Sequence, residues 1–150
     1  MISIKSSSLP PREDSNIRVL LFGSFDPLHE GHRNLFRQAR MVANHLTVVV
    51  ARDATIVTQK GHAPLHGEHE RLALVSADSA VDEAILGDEN PTSYTSLTAI
   101  SFDILVLGYD QMPSDTDARH ILDALGLSHI RIVRLLPHKP DVYKSSLLRT

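Results

Sequence analysis

Residues 23–32 read GSFDPLHEGH, and this stretch determines how the rest of the chain is interpreted. It follows a short apolar run, Ile17–Phe22, that is typical of a buried strand closed by Gly23. It precedes a segment, His29–Ala43, whose apolar residues recur at helical spacing. The stretch is therefore predicted to turn from a strand into a helix at the carboxyl edge of a sheet, where ligands bind in open α/β folds.

Two histidines stand three residues apart in the first turn of that helix. This spacing places His29 and His32 on one face, at a helix N-terminus whose N–H groups already favour an anion. Gly31 between them allows a ligand to approach the backbone closely. The stretch is neither a GxGxxG fingerprint nor a P-loop. It predicts a phosphate site built from imidazoles, against the alternative of two ordinary surface histidines.

Outside this turn, apolar runs alternate with helical segments, which predicts right-handed βαβ units. The predicted fold is a Rossmann-like, doubly wound α/β sheet of about five parallel strands, in the order 3-2-1-4-5. Further strands are predicted at Leu46–Ala51, Val81–Leu86, Ile104–Leu107 and Ile130–Leu136, further helices at Glu68–Ser79, Thr92–Ile100 and Asp115–Leu125, and a loop at Arg52–Pro64.

Composition limits the classes of function. The chain has 150 residues, a net charge of −3, no cysteine, no tryptophan and 5% aromatic residues. These values disfavour nucleic acid as a partner and exclude disulfides and thiolate metal sites. No apolar run approaches a membrane span, and the N-terminus does not resemble a secretory signal. We expect a flexible tail over residues 1–16, a single domain over 17–150, no membrane partner and a cytoplasmic location.

The turn resembles the signature of the cytidylyltransferase-like nucleotidyltransferases, a strand followed by G-T/S-F-D-x-x-H-x-G-H, and the resemblance runs from about Ile17 to Arg149. It implies that a nucleotidyl group passes from a nucleoside triphosphate, ATP or CTP, to a phosphate-bearing small molecule, with release of pyrophosphate. It also implies that His29 and His32 hold the triphosphate and stabilise charge at the α-phosphorus.

The chemistry of that reaction agrees with the residues present. An acceptor phosphate is already a nucleophile, so catalysis needs positioning and charge stabilisation rather than a general base. Four residues are candidates for this catalytic work: His29, His32, Lys60 and Arg149. Mg²⁺ is expected as the partner of the triphosphate, held mainly by phosphates and water, with no protein metal site.

Other candidate residues follow from where they lie relative to the motif. Asp110 follows the fourth strand, beside the same crevice as the turn. Arg71, in a Glu-Arg pair similar to that of the family, either reaches the substrate or binds loop and helix ends. The nucleotide-binding candidates are Gly23, Ser24, Phe25, Asp26, His29, Gly31, His32, Gly108, Asp110, Ser145 and Ser146, and the substrate-binding candidates are Arg52, Asp53, Lys60 and Arg71.

The last segment, KSSLLRT, resembles the family's Ser/Thr-rich opening of a final helix. Ser145 or Ser146 is suited to cap that helix, with Arg149 one turn further on. A helix this short is unstable alone. We therefore expect the segment to be ordered mainly when it is docked or when nucleotide is bound.

The acceptor is the question that the motifs leave open. Four stretches together resemble the archaeal-type FAD synthetases, which adenylylate FMN: VARD, the KG-x-x-P loop, VDEAILG and ILVLGYDQ. Glycerol-3-phosphate cytidylyltransferases share the HxGH motif and the closing Ser/Thr segment, and they are the alternative. Phosphopantetheine adenylyltransferase ranks third, and a non-catalytic nucleotide-binding protein is a reading from another class.

Two further features carry expectations of their own. His62, His66 and His69 lie around one loop–helix junction and offer nitrogen ligands for Zn²⁺, but Pro64 and Gly67 interrupt any regular helix there. Solvated loop histidines are the favoured interpretation. Proteins of the family are often dimers, so the resemblance allows a homodimer, and the sequence alone leaves the oligomeric state open.

Overall fold

The computed structural model describes residues 16–90, 93–107 and 114–134 of the chain. Strands and helices alternate through these ranges. In chain order they are β1 (Arg18–Gly23), α1 (Glu30–Val42), β2 (His45–Val50), α2 (Asp53–Lys60), α3 (Glu68–Ser76), β3 (Glu83–Leu86), a 3-10 helix (Thr95–Ala99), β4 (Ile104–Leu107), α4 (Asp115–Ala124) and β5 (Arg131–Arg134).

Within the described residues, five parallel strands form one sheet in the order β3-β2-β1-β4-β5. The predicted fold class and strand order are therefore confirmed. The chain reverses its direction of winding between β1 and β4, so the segment that follows β1 lies at the switch point of the sheet. This places residues 23–32 at the edge where open α/β sheets bind ligands.

The core consists of two apolar layers, one on each face of the sheet. Alternate residues of β1 point to opposite faces, so Val19 and Leu21 pack with α1 and α3, whereas Leu20 packs with the 3-10 helix and α4. β2 and β4 are buried almost throughout. Strands buried on both faces read as continuous apolar runs, and such runs located them in the sequence.

The prediction of a loop over Arg52–Pro64 was wrong, because residues 53–60 form helix α2. Its first turn contains Asp53 and its last turn contains Lys60, charges that suit the two ends of a helix dipole. Gly61 ends it in the left-handed conformation, at φ 79°. Only Ile56 among the residues of α2 is buried, so the segment lacks the apolar stripe by which a helix is recognised.

Several other boundaries move by a few residues. α3 ends at Ser76 rather than Ser79, β3 begins at Glu83 rather than Val81, and the short helix before β4 is a 3-10 helix. The predicted end of β5 at Leu136 lies outside the described residues, as do residues 1–15 of the predicted tail. In the ranges that the structure covers, no helix is both long and apolar enough to cross a membrane.

Candidate active site

The turn after β1 is held in place by a buried aromatic ring. Phe25 has a positive φ of 54° and is 2% exposed. Its ring lies so close to Gly23 that a Cβ there would collide with it. The same ring meets His32 edge-on, with 5.1 Å between centroids, and packs against Phe36 at 5.4 Å. Phe25 and Gly23 are therefore predicted site residues to which the structure gives a packing role.

The two histidines themselves form the start of α1. His29 is the N-cap, and its Nδ1 accepts a hydrogen bond from the backbone N–H of Gly31 at 3.0 Å. Nδ1 of His32 accepts from the backbone N–H of His29 at 3.2 Å. These reciprocal bonds are a capping box made with imidazoles. The rings stack with 3.8 Å between centroids.

Burial keeps both imidazole rings neutral, and the bonds to Nδ1 determine which ring nitrogen carries the proton. Burial, followed by the charges of His29, Lys60 and Arg33, lowers the pKa of His32 from 6.5 to about 3. Burial, followed by the charge of Arg33, also lowers the pKa of His29. Both rings are therefore neutral near pH 7, and since each Nδ1 accepts, each proton is on Nε2. The pair presents two neutral Nε2–H donors, which are suited to bind phosphate oxygens.

Lys60 is a positively charged residue whose electrostatic effect reaches this pair. It is the last residue of α2 and is exposed, and its charge contributes to the lowered pKa of His32. Five residues after Lys60, the backbone N–H of Leu65 binds Asp26 of the HxGH turn (residues 23–32), so the chain that follows α2 returns to that turn. A cation next to two neutral donors can stabilise the charge of a polyphosphate.

Arg33 is a residue near the site that the sequence analysis missed. It directly follows His32 in α1, and its charge lowers the pKa of both histidines. Its Nε lies 3.8 Å from a carboxylate oxygen of Asp78. The signal available was its place four residues after His29, a spacing that makes helix positions neighbours.

Asp26 binds the loop between α2 and α3. Its carboxylate oxygens accept hydrogen bonds from the backbone N–H groups of Leu65, at 2.7 Å, and His66, at 2.9 Å. Asp26 was proposed from sequence as a nucleotide-binding residue. In the structure it fastens residues 61–67 to the HxGH turn, and a nucleotide contact of Asp26 stays a prediction.

Arg71 is the one charged residue among the described ones that is fully buried. Its guanidinium donates to the carbonyl oxygens of Ser24, Ala51 and His66, at 2.6–3.0 Å, and to Oδ1 of Asp53 at 2.7 Å. A substrate contact of Arg71, which the sequence also allowed, stays a prediction. The alternative interpretation, that it binds loop and helix ends, describes its contacts, because its donors are used inside the protein.

Arg52 and Asp53 are also engaged within the protein. Nε of Arg52 donates to the carbonyl of Gly87 at 2.7 Å, and its Nη1 lies 3.3 Å from Oε2 of Glu68. The backbone N–H of Asp53 donates to the other oxygen of Glu68 at 2.8 Å. These contacts join the ends of β2 and β3 to the start of α3. Substrate contacts for Arg52 and Asp53 stay predictions.

The remaining predicted site residues lie outside the described residues. They are Gly108, Asp110, Ser145, Ser146 and Arg149. The expected final helix and its ordering lie there too.

No group of three acidic, histidine or cysteine residues in the described part of the chain is arranged to hold a metal ion. His66 instead lies 3.2 Å from Glu70, and the side chain of His69 is 84% exposed. Nitrogen donors such as the Nε2–H groups of the HxGH pair do not suit Mg²⁺, which prefers oxygen. The described site thus fits a phosphate chain, and a metal would fit there as part of a metal–phosphate complex.

A family model described as cytidylyltransferase-like matches residues 20–150. The chain belongs to the cytidylyltransferase-like family. The match includes the turn after β1, and it also includes the C-terminal residues that the structure does not describe. The predictions of this family, and of a nucleotidyltransferase as the class of enzyme, are confirmed.

Curated relatives of this cytidylyltransferase-like chain include several archaeal FAD synthases. The FAD synthase of Thermoplasma acidophilum is 38% identical over 133 residues, which are 89% of this chain and 92% of that relative. The FAD synthase of Methanohalophilus mahii is 39% identical over 123 residues, 81% of this chain and 84% of that relative.

Solved structures show the same fold. A lipopolysaccharide core biosynthesis protein from Thermoplasma volcanium superposes with a TM-score of 0.75 at 36% identity, covering 83% of this chain and 100% of that one. A protein with unknown function from Archaeoglobus fulgidus gives a TM-score of 0.60 at 23% identity, covering 80% of this chain and 90% of that one. The second likeness concerns the fold alone.

Proposed function

We propose that this protein is an FAD synthase that transfers the adenylyl group of ATP to FMN and releases pyrophosphate. The observation that carries the proposal is the pair of Nε2–H donors on His29 and His32 at the N-terminus of α1. Such a pair, with Lys60 beside it, is suited to a nucleoside triphosphate. The choice of ATP and FMN is supported by FAD synthase relatives that align over most of this chain.

In the proposed reaction, a phosphate oxygen of FMN attacks the α-phosphorus of ATP. The bond from that phosphorus to the oxygen that bridges to the β-phosphate breaks, and its electron pair leaves with pyrophosphate. The FMN phosphate is ionised near pH 7, so no protein base is needed. His29 and His32 donate hydrogen bonds to the phosphate chain, and Lys60 balances the charge that moves onto the leaving group.

Mg²⁺ is proposed to enter the site with the triphosphate. When bound, it supplies further charge neutralisation at the phosphate oxygens. In this proposal the HxGH pair contributes nitrogen donors, so the ligands of Mg²⁺ there would be phosphate oxygens and water. The cytoplasmic location and the homodimer stay predictions.

The test measures pyrophosphate release with Mg²⁺ while ATP and CTP are each combined with FMN, glycerol 3-phosphate, phosphocholine and phosphopantetheine. Products are identified by mass. FAD from ATP and FMN is the expected product. A CDP-alcohol, or a product from phosphopantetheine, would keep the transfer chemistry and overturn the acceptor. The absence of product from every pair would contradict the proposed enzyme. His69→Ala, a change of an exposed histidine, is the matched control for variants of His29 and His32.

A further inference from the structure

We propose that Arg71 is a positioning residue for nucleotidyl transfer, which holds helix α2 so that Lys60 faces His29 and His32. This inference rests on the proposed function for its catalytic readout. Arg71 is fully buried, and four of its guanidinium N–H groups are bonded within the protein. In this proposal the buried guanidinium of Arg71 sets the position of Lys60 relative to the histidine pair.

The four contacts of Arg71 come from three segments of the chain: the turn after β1, the junction between β2 and α2, and the loop between α2 and α3. Nη1 bonds the carbonyl of Ser24, in the turn that carries the histidines, and the carbonyl of Ala51, at the exit of β2. Nε bonds the carbonyl of His66 in the loop between α2 and α3. Nη2 bonds Oδ1 of Asp53 in the first turn of α2. One planar group therefore fixes the distance between the HxGH turn and α2.

Helix α2 transmits this position to Lys60. Asp53 is its first residue and Lys60 its last, so about 10 Å of helix separates the two at ~1.5 Å per residue. Ile56 is the only residue of α2 that is buried, so apolar packing alone holds the helix at a single point. At the start of the helix, the Arg71–Asp53 ion pair of 2.7 Å and the bond from the backbone N–H of Asp53 to Glu68 supply a second point, and two points set the direction of a rod. The direction of α2 determines where its last residue lies.

The planar guanidinium of arginine has enough N–H donors to bind all four acceptors. Four of the five guanidinium N–H donors are used on acceptors that lie in different directions. A lysine at this position retains the charge, but its compact ammonium has three donors and no planar fork, so it cannot serve all four acceptors. Arg71→Lys is therefore expected to leave α2 attached and to change its orientation.

The experiment is a double-mutant cycle of Arg71→Lys and Lys60→Ala, measured as FAD formation from ATP and FMN. Arg71→Lys is expected to lower kcat by about 10²-fold, the size of effect that a displacement of about 1 Å produces. If Arg71 acts through Lys60, the double variant has a kcat within about twofold of Lys60→Ala alone. If the two losses multiply, Arg71 does not act through Lys60 and the proposal is overturned.

Arg119→Lys is the matched control. Arg119 also bonds several backbone carbonyls, those of Ile130, Leu127 and Ser128, but it joins α4 to the chain before β5. Its loss is expected to lower the stability while kcat stays within about twofold of the wild-type value. A loss of kcat as large as that of Arg71→Lys would show that general loosening suffices, and would overturn the proposal.

A readout without turnover separates this proposal from the proposed function. The pKa of His32 is followed by NMR of its imidazole in each variant. Removal or displacement of the Lys60 charge raises this pKa, so Lys60→Ala and Arg71→Lys are expected to shift it in the same direction and the double variant no further. This holds even if wild type makes no FAD, an outcome that would sink only the proposed function. An unchanged value in Arg71→Lys would overturn the placement of Lys60 by Arg71.

Asp53→Ala keeps the inference testable if Arg71→Lys does not fold. This change removes the single bond from the guanidinium to α2 and leaves the three bonds to carbonyls in place. The side chain of Asp53 is 46% exposed, so its truncation creates no cavity. Asp53→Ala is expected to reproduce both effects of Arg71→Lys, with the same dependence on Lys60. Wild-type kcat and an unshifted His32 pKa in this variant would overturn the proposal.

Discussion

The imidazoles of His29 and His32 lie stacked, 3.8 Å apart, and each Nδ1 accepts a backbone N–H of the same helical turn. The residues that face the proposed phosphate site are thus also the residues that begin α1. Their two roles are separable, because the helix uses Nδ1 and the phosphate would use Nε2. Substitutions that retain one nitrogen or its equivalent can distinguish them.

The first prediction concerns that separation. His32→Gln keeps a side-chain oxygen at the third position of α1, the position at which capping boxes use Gln, so it retains the bond to the N–H of His29. His32→Ala removes that bond. Both variants are expected to lose at least about 10²-fold in kcat. Only His32→Ala is expected to lose about 1 kcal/mol in the free energy of unfolding as well. Urea denaturation and FAD formation measure the two effects, and equal stabilities would contradict the cap.

The second prediction is a pH dependence of stability. The pKa of His32 is lowered to about 3 in the folded protein, so the unfolded chain binds this proton first as the pH falls. Wild type is therefore expected to lose stability relative to His32→Gln between about pH 6.5 and pH 3, by up to ~1.4 kcal/mol per pH unit. Above about pH 6.5 the difference should be constant. A difference that does not change from pH 7 to pH 4 would show that His32 titrates normally.

The third prediction concerns the loop held by Asp26. Asp26→Ala removes both acceptors of the N–H groups of Leu65 and His66. Amide hydrogen exchange at these two positions is expected to become faster by about fivefold, since each hydrogen bond contributes about 1 kcal/mol. Asp26→Asn keeps one oxygen acceptor and should release a single amide. Unchanged exchange at both positions in Asp26→Ala would disprove the clamp.

The fourth prediction tests which face of helix α2 packs against the rest of the protein. Ile56 is 1% exposed and is the buried residue of α2, whereas Val57 beside it is 47% exposed. Ile56→Ala is expected to destabilise the fold by about 2–5 kcal/mol. Val57→Ala should change the stability by less than about 0.5 kcal/mol. Thermal denaturation compares the two, and similar losses would mean that the segment packs differently.

The sequence predicted those parts of the molecule that depend on neighbours in the chain. The strand before Gly23 follows from a short apolar run, and the shared face of His29 and His32 follows from a spacing of three residues. Helix α2 was missed because one buried isoleucine in eight residues gives no apolar stripe. The role of Arg71 was left open because its partners stand up to 47 residues away, and nothing local indicates which carbonyls a buried guanidinium will meet.

The contact between Gly23 and the ring of Phe25 bears on how loss-of-function variants of this protein should be understood. Any side chain at position 23 would push that ring away, and the ring supports His32 from behind. A variant of Gly23 would consequently damage the donor geometry without any contact to nucleotide. If every position were mutated and the variants were ranked by growth or turnover, substitutions at Gly23 would be as damaging as substitutions of a catalytic residue. Substitutions at Gly23 would fail because there is no room for a side chain, and not because Gly23 takes part in the reaction.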